Sequence, residues 1–328
     1  MKAINILLCT LLFTASCKKN NIVEQPSVIT PVVVPSLPDT LGVGWSKVGA
    51  IPAEENVTDI YFTDQNNGYI TTSQGIYRSS NAGVDWVKIR DGVRFYNIGA
   101  IGSKATFVGG TSDIVYTLDN GLTTQSVNYT NATPGSGPGF QDCSYSSSNT
   151  CYAASKKYIW KSTNGGISFD TLYNFQDASP LAVALQFVND LNGWITRDTS
   201  LLKTIDGGVT WNSVKTFNNN YCPISFPDQN VGFVANYSDV FKTSDGGSSW
   251  QTNPRFITEL TGIEDIHFFD SLNGYCIAGT KLYKTTNGGN SWTKEVRLGG
   301  KYLNEIFFLD ETHGWACGEY GYVLRFNL

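Results

Sequence analysis

Two histidines, His267 and His313, are all that 328 residues contain. The cysteines, at positions 9, 17, 143, 151, 222, 276 and 317, fall into no spacing used by zinc sites. No metal or other cofactor is therefore expected. Charge is also sparse: Asp, Glu, Lys and Arg make up 16% of the chain and sum to −5. Phosphate backbones require a concentrated basic surface, so nucleic acid is not an expected partner. After the first residues there is no long apolar run and no sustained helical period. What remains is rich in glycine (33) and in tyrosine, phenylalanine and tryptophan (17, 18 and 8). That composition points to an all-β chain.

The N terminus reads differently from the rest. Lys2, the short apolar run "INILLCTLLF" and the small residues of "TASC" form a secretory leader over 1–16, too short to span a membrane. Residues 17–43 carry Pro26, Pro31, Pro35 and Pro38 without strand or helix period, and read as an extended tether. The other reading is a packed N-terminal arm. Export to an oxidising compartment with five later cysteines leaves at least one thiol free or paired elsewhere. Cys143 and Cys151 flank a hairpin turn, and are either bridged or free.

A repeat organises residues 44–328. Six segments share Ser or Thr, then Asp or Asn two on, then Gly two further on: "SSNAGVDW", "TLDNGLTT", "STNGGISF", "TIDGGVTW", "TSDGGSSW" and "TTNGGNSW". Their members are Asn81, Gly83 and Trp86; Asp119 and Gly121; Asn164 and Gly166; Asp206, Gly208 and Trp211; Asp245, Gly247 and Trp250; and Asn287, Gly289 and Trp292. The shared glycines recur at 38 to 45 residues. Upstream of most lies a second unit, as in "DIHFFDSLNGYC": an alternating strand, an Asp/Asn turn, then Gly and an aromatic opening the next strand. Each repeat is thus four short antiparallel strands, the content of one propeller blade. Six blades carry complete repeats, and "NEIFFLDETHGWACGEYGYVLRF" supplies three strands of a seventh. The fourth comes from "GWSKVGAIP" near Gly44, closing the ring. The expected fold is a seven-bladed, all-β propeller with four-stranded blades. The repeated turn is expected to be a structural fastener, with Trp86, Trp211, Trp250 and Trp292 largely buried.

These segments resemble the Asp-box, or BNR, repeat of sialidase-, xyloglucanase- and sortilin-type propellers. The longer unit, "DIHFFDSLNGY" through "LYKTTNGGNSW", is most similar to the photosystem II assembly and stability factor family. Membership would imply a non-catalytic protein-binding scaffold that captures a segment of a partner during assembly of an envelope complex. "TASC" resembles a bacterial lipobox, implying that Cys17 becomes the lipidated first residue and that the protein is an exported, membrane-anchored lipoprotein held by that lipid alone. An ordinary leader with a chance cysteine is the alternative.

Catalysis would need residues that the repeat does not explain. The sialidase Arg-Ile-Pro motif is absent, and Arg78 and Arg325 occupy the basic position preceding the repeated turn. Glycoside hydrolysis needs only two carboxylates at a set separation, so a carbohydrate-binding or hydrolytic site at the channel mouth is the alternative function. The first strand of a blade lines the central channel, and its opening position is acidic in four repeats: Asp59, Asp142, Asp265 and Glu305. Ala184 and Pro223 match them in two others. These four carboxylates are the candidate binding residues, for a cation, a basic segment or a sugar. Arg78, Lys161, Lys203, Lys242, Lys284 and Arg325 are expected to ring the opposite side. Aromatics near predicted loops, such as Phe95, Tyr96, Tyr221 and Phe256, are either contact platforms or blade packing, and the loop "NATPGSGPGF" (131–140) is a further contact candidate.

Overall fold

Alternating apolar positions and frequent glycine turns give this chain strands of two to eight residues, stacked as seven antiparallel sheets of four strands each. The structure, a computed structural model, describes residues 38–49, 51–52, 54–92, 95–109, 113–129, 139–176, 182–220, 222–253 and 262–328, without the side chains of 182 and 183. The leader, Cys17, most of the tether, Tyr221, Phe256 and residues 131–138 lie outside this set. The innermost strands are Val57–Phe62, Phe95–Ile101, Phe140–Tyr145, Ala182–Phe187, Ile224–Ser225, Ile263–Phe268 and Leu303–Asp310. Each contacts the innermost strand of the next blade, and the last contacts the first, so the ring is closed.

Closure is made by the predicted strand exchange. Trp45–Lys47 pairs antiparallel with Val323–Asn327 and completes the seventh blade, setting Trp45 opposite Phe326. Trp45 packs against Tyr275, Phe308 and Phe326, so the seam is an apolar core as well as a strand ladder. Just before it, Thr40 exchanges both backbone hydrogen bonds with Arg297 on the edge of the sixth blade, at 2.8 and 2.9 Å. Asp39 accepts hydrogen bonds from the Tyr322 hydroxyl (2.6 Å) and the Gly299 amide (2.8 Å). The end of the tether segment thus lies against the propeller.

One blade shows why the sequence repeats. In the sixth, Asp270 Oδ1 accepts the amides of Leu272 and Asn273, which bends the chain between the first two strands. Gly274 opens the second strand because the Phe268 ring lies over it: a Cβ there would sit 2.5 Å from the ring. Tyr275 then stacks on Phe308 of the next blade (4.5 Å, 17°). The same interblade stack joins Tyr152 to Phe187, Trp194 to Phe226, Phe233 to Phe268 and Trp315 to Phe62. Each such pair is worth about 0.5–1.5 kcal/mol beyond its burial, and five of the seven interblade seams carry one.

The six repeated turns are hydrogen-bonded alike. The Ser or Thr hydroxyl donates to the Asp or Asn side chain and accepts the amide of the glycine four residues on, at 2.8–3.0 Å. The Asp or Asn oxygen accepts the amide four residues beyond itself. The six shared glycines have φ between 76° and 100°, a region open to glycine and strained for other residues. Of the four tryptophans expected to be largely buried, only Trp211 is; Trp86, Trp250 and Trp292 are half-buried. They open the outer strand of a blade, whose far side faces water. Trp211, Trp250 and Trp292 each donate an indole N–H to the carbonyl of the turn glycine, and all four rings meet the blade's inner phenylalanine edge-on.

Candidate functional site

The innermost strands surround a central cavity of about 640 Å³, within the size range of small-molecule sites. Asp59, Asp142, Asp265 and Glu305 all line it, brought from four blades to one level. Their level is set by a shared irregularity: the register of each of these strands slips by one residue just before the acidic position. The second blade has the same slip, and there the position is Asn97, which sequence reasoning missed. That blade lacks the Asp/Asn turn which marks its neighbours, so no motif aligned it. Ala184 and Pro223 complete the level, as their positions implied.

Main-chain amides hold these carboxylates. Asp59 accepts the amide of Ile60 in its own blade and that of Ile98 in the next, both at 2.6 Å. Asp142 does the same with Cys143 (2.6 Å) and Leu185 (2.5 Å), and Asp265 with Ile266 (2.8 Å) and Ile306 (3.0 Å). Asn97 Oδ1 accepts the amide of Cys143 at 3.1 Å. Where Ala184 and Pro223 have no polar side chain, the residue two further along takes over the stitch. Gln186 exchanges two hydrogen bonds with the Phe226 backbone, and Ser225 accepts the amide of Phe268.

Burial pushes every one of the four acids upward. Asp142 reaches about 7 despite its two amide bonds. Asp59 is raised well above the carboxylate range by burial, with Asp142 and Asp265 adding repulsion. Glu305 is likewise raised well above the carboxylate range by burial and the Asp265 charge, and the two share a hydrogen bond. Like charges gathered at one buried level oppose one another's ionisation.

Two residues beyond this level, three of the seven strands place an aromatic ring in the wall: Tyr61, His267 and Phe307. Tyr61 lies against Phe307 (4.4 Å between ring centres), and His267 faces Phe307 (6.0 Å) and Phe269 (5.5 Å). Burial lowers the His267 pKa to about 4, so the imidazole is neutral. Tyr61 is pushed up to about 12 by burial and by Asp59. Glu264 adds an acid beside Asp265, and the exposed Asp310 and Glu311 form part of the other rim. The described lining therefore carries seven carboxylates and neither lysine nor arginine.

The expected basic ring is not part of the cavity. Lys161, Lys203, Lys242 and Lys284 lie over Tyr152, Trp194, Phe233 and Tyr275, their cross-strand partners, at 5.1–5.6 Å from the ring centres. Arg78 and Arg325 stand opposite Tyr69 and Trp315 in the same register. The third strand sits away from the axis, so its side chains point between blades and cover the interblade stacks. Cys143 and Cys151 are unbridged, and with Cys222, Cys276 and Cys317 they are free and buried. Cys143 stands opposite Ala153, and Cys151 opposite Tyr145, so the pair is diagonal across the strands rather than face to face. Phe95 is buried in the core between the first two blades, whereas Tyr96 is exposed. Among the described residues no group of three or more His, Cys, Asp or Glu is arranged to hold a metal ion.

No protein-family model matches the sequence, and no curated protein matches it either. Solved structures do. YCF48 bound to D1 peptide is similar with a TM-score of 0.72 at 16% identity, over 89% of this chain and 100% of that one. YCF48 from Cyanidioschyzon merolae gives 0.71 at 18%, over 87% and 98%. The GH74 xyloglucanase from Xanthomonas campestris gives 0.68 at 13%, over 89% of this chain and 54% of that one. At these identities the likeness is one of fold.

Proposed function

We propose that this propeller is a non-catalytic scaffold that captures a protein segment in the cell envelope, where it is exported and anchored through lipid on Cys17. The observation that carries the reading is the central cavity, which is ligand-sized and reaches the surface beside Asp310 and Glu311. Its buried carboxylates are committed to main-chain amides, which suits a rigid receiving wall better than acid–base turnover. The fold shared with YCF48, one structure of which holds a D1 peptide, supports the same reading. Glycan binding or hydrolysis is the weaker reading: it rests on the presence of carboxylates in the cavity and on a fold likeness to part of a xyloglucanase.

Affinity capture with the full chain from envelope extracts tests the scaffold. A stoichiometric protein partner is expected, together with fatty-acid labelling that is lost in Cys17→Ala. Release of reducing sugar from xyloglucan or sialic acid from sialyl-lactose, with no retained protein, would overturn it.

A further inference from the structure

The cavity wall has one sign of charge and a group of aromatic rings, and these together select a ligand. Seven carboxylates line it with no lysine or arginine among the described lining residues, so the field inside favours a cation. Beside the acidic level, the rings of Tyr61, His267 and Phe307 offer flat faces on which a planar cation stacks better than a compact ammonium. His267 adds a half-buried imidazole to the same wall. Its neutral imidazole lines the cavity among Phe269, Phe307 and Phe308, and among the described residues nothing hydrogen-bonds to its ring nitrogens.

We infer that the central cavity is the capture site and that it takes an arginine side chain of a partner protein, guanidinium against the Asp265–Glu305 edge and its flat face on Phe307 and His267. This rests on the scaffold reading and adds to it the site and the residue captured. A bound guanidinium favours the ionised form of the Glu305–Asp265 pair, so binding displaces protons from it to solvent. The titratable groups that interact with that pair are Asp59 of the first blade, Asp142 of the third, Cys276 of the sixth and Cys317 of the seventh, with Tyr61, Cys143, Glu264 and His267 elsewhere on the same lining. None is positively charged at neutral pH, so nothing in the wall competes with the incoming cation.

Calorimetry of the full chain with the capped peptide Gly-Phe-Arg-Phe-Gly, and with the same peptide carrying citrulline for arginine, tests this. Citrulline keeps the shape and removes the charge. The arginine peptide is expected to bind at least about tenfold more tightly, a difference of about 1.4 kcal/mol. It should also release protons near pH 7, seen as a heat that varies with buffer ionisation enthalpy. The triple variant Asp59→Asn, Asp265→Asn, Glu305→Gln should lose that preference while unfolding cooperatively, because Asn97 already occupies one position of the level. Should the triple variant not fold, Asp310→Asn with Glu311→Gln on the exposed rim should still weaken the arginine peptide selectively. Equal binding of the two peptides, or no binding of either, overturns the inference. Agmatine binding as tightly as the peptide overturns the protein origin of the cation. A partner captured from extracts by both parent and triple variant leaves the scaffold standing and removes this site.

Discussion

Replacing Asp142 with Asn isolates the cost of holding a carboxylate at the centre of the ring. Asp142 is only 7% exposed and lies at the acidic level of the cavity. Burial raises its pKa from the ordinary 3.8 to about 7. Between those values the folded protein binds a proton that the unfolded chain has lost, so stability is greatest below pH 4 and declines as pH rises towards 7. At about 1.4 kcal/mol per pH unit, the whole displacement is worth about 4 kcal/mol. Asn cannot ionise, so the variant's stability should fall less steeply, by about 1 kcal/mol per pH unit across pH 5–7. The offset between the two proteins is a separate matter, since Asn turns an N–H towards one of the two amides that Asp142 accepts. Only the slope carries the prediction. Glu55 works in the opposite direction: burial opposes its ionisation, but hydrogen bonds from Thr72, Tyr77 and Lys88 outweigh it and lower its pKa. Its stabilisation is lost as pH falls below the carboxylate range, so measurements should stay above pH 5. Urea unfolding of parent and Asp142→Asn at half-unit pH steps from 5 to 8 reads the slopes. Parallel curves would refute the raised pKa.

Three further outcomes follow from the packing. Gly232→Ala should destabilise by about 1–3 kcal/mol in thermal unfolding, because its Cβ would lie 2.1 Å from the Phe226 ring, which Trp194 holds from the other side. Thr204→Val should cost about 1–3 kcal/mol by leaving the buried Gly208 amide without its acceptor, and Thr204→Ser should recover most of that loss. The five described cysteines should resist Ellman's reagent in the native protein and react together on unfolding, since all are buried and burial raises Cys143, Cys276 and Cys317 well above the usual thiol range. Rapid native labelling of any of them would contradict the packing of the inner strands.

Much of the architecture is legible from local chemistry. "TTNGGNSW" and its siblings state a turn, since a hydroxyl, an Asp or Asn acceptor and a positive-φ glycine act within eight residues of chain. The tail of the seventh blade and the strand at Trp45 fit by the same logic. The acidic level was half legible. Asp59, Asp142, Asp265 and Glu305 recur at one position of the repeat, but Asn97 sits in the blade without the marker turn. The rings of Tyr61, His267 and Phe307 carry no repeated letter at all. For the basic residues, spacing states the strand each occupies, not the direction its side chain takes relative to the axis.

The sequence by itself determined the blade, its fastening turns, the number of blades and the strand exchange that closes them, because each depends on contacts a few residues apart or on a repeat that can be counted. Only the tertiary structure decided what faces the axis. Seven strands from the whole chain converge there, and side chains unrelated in sequence become neighbours. Burial then changes their chemistry, raising the pKa of four ordinary carboxylates and lowering that of His267 beside them.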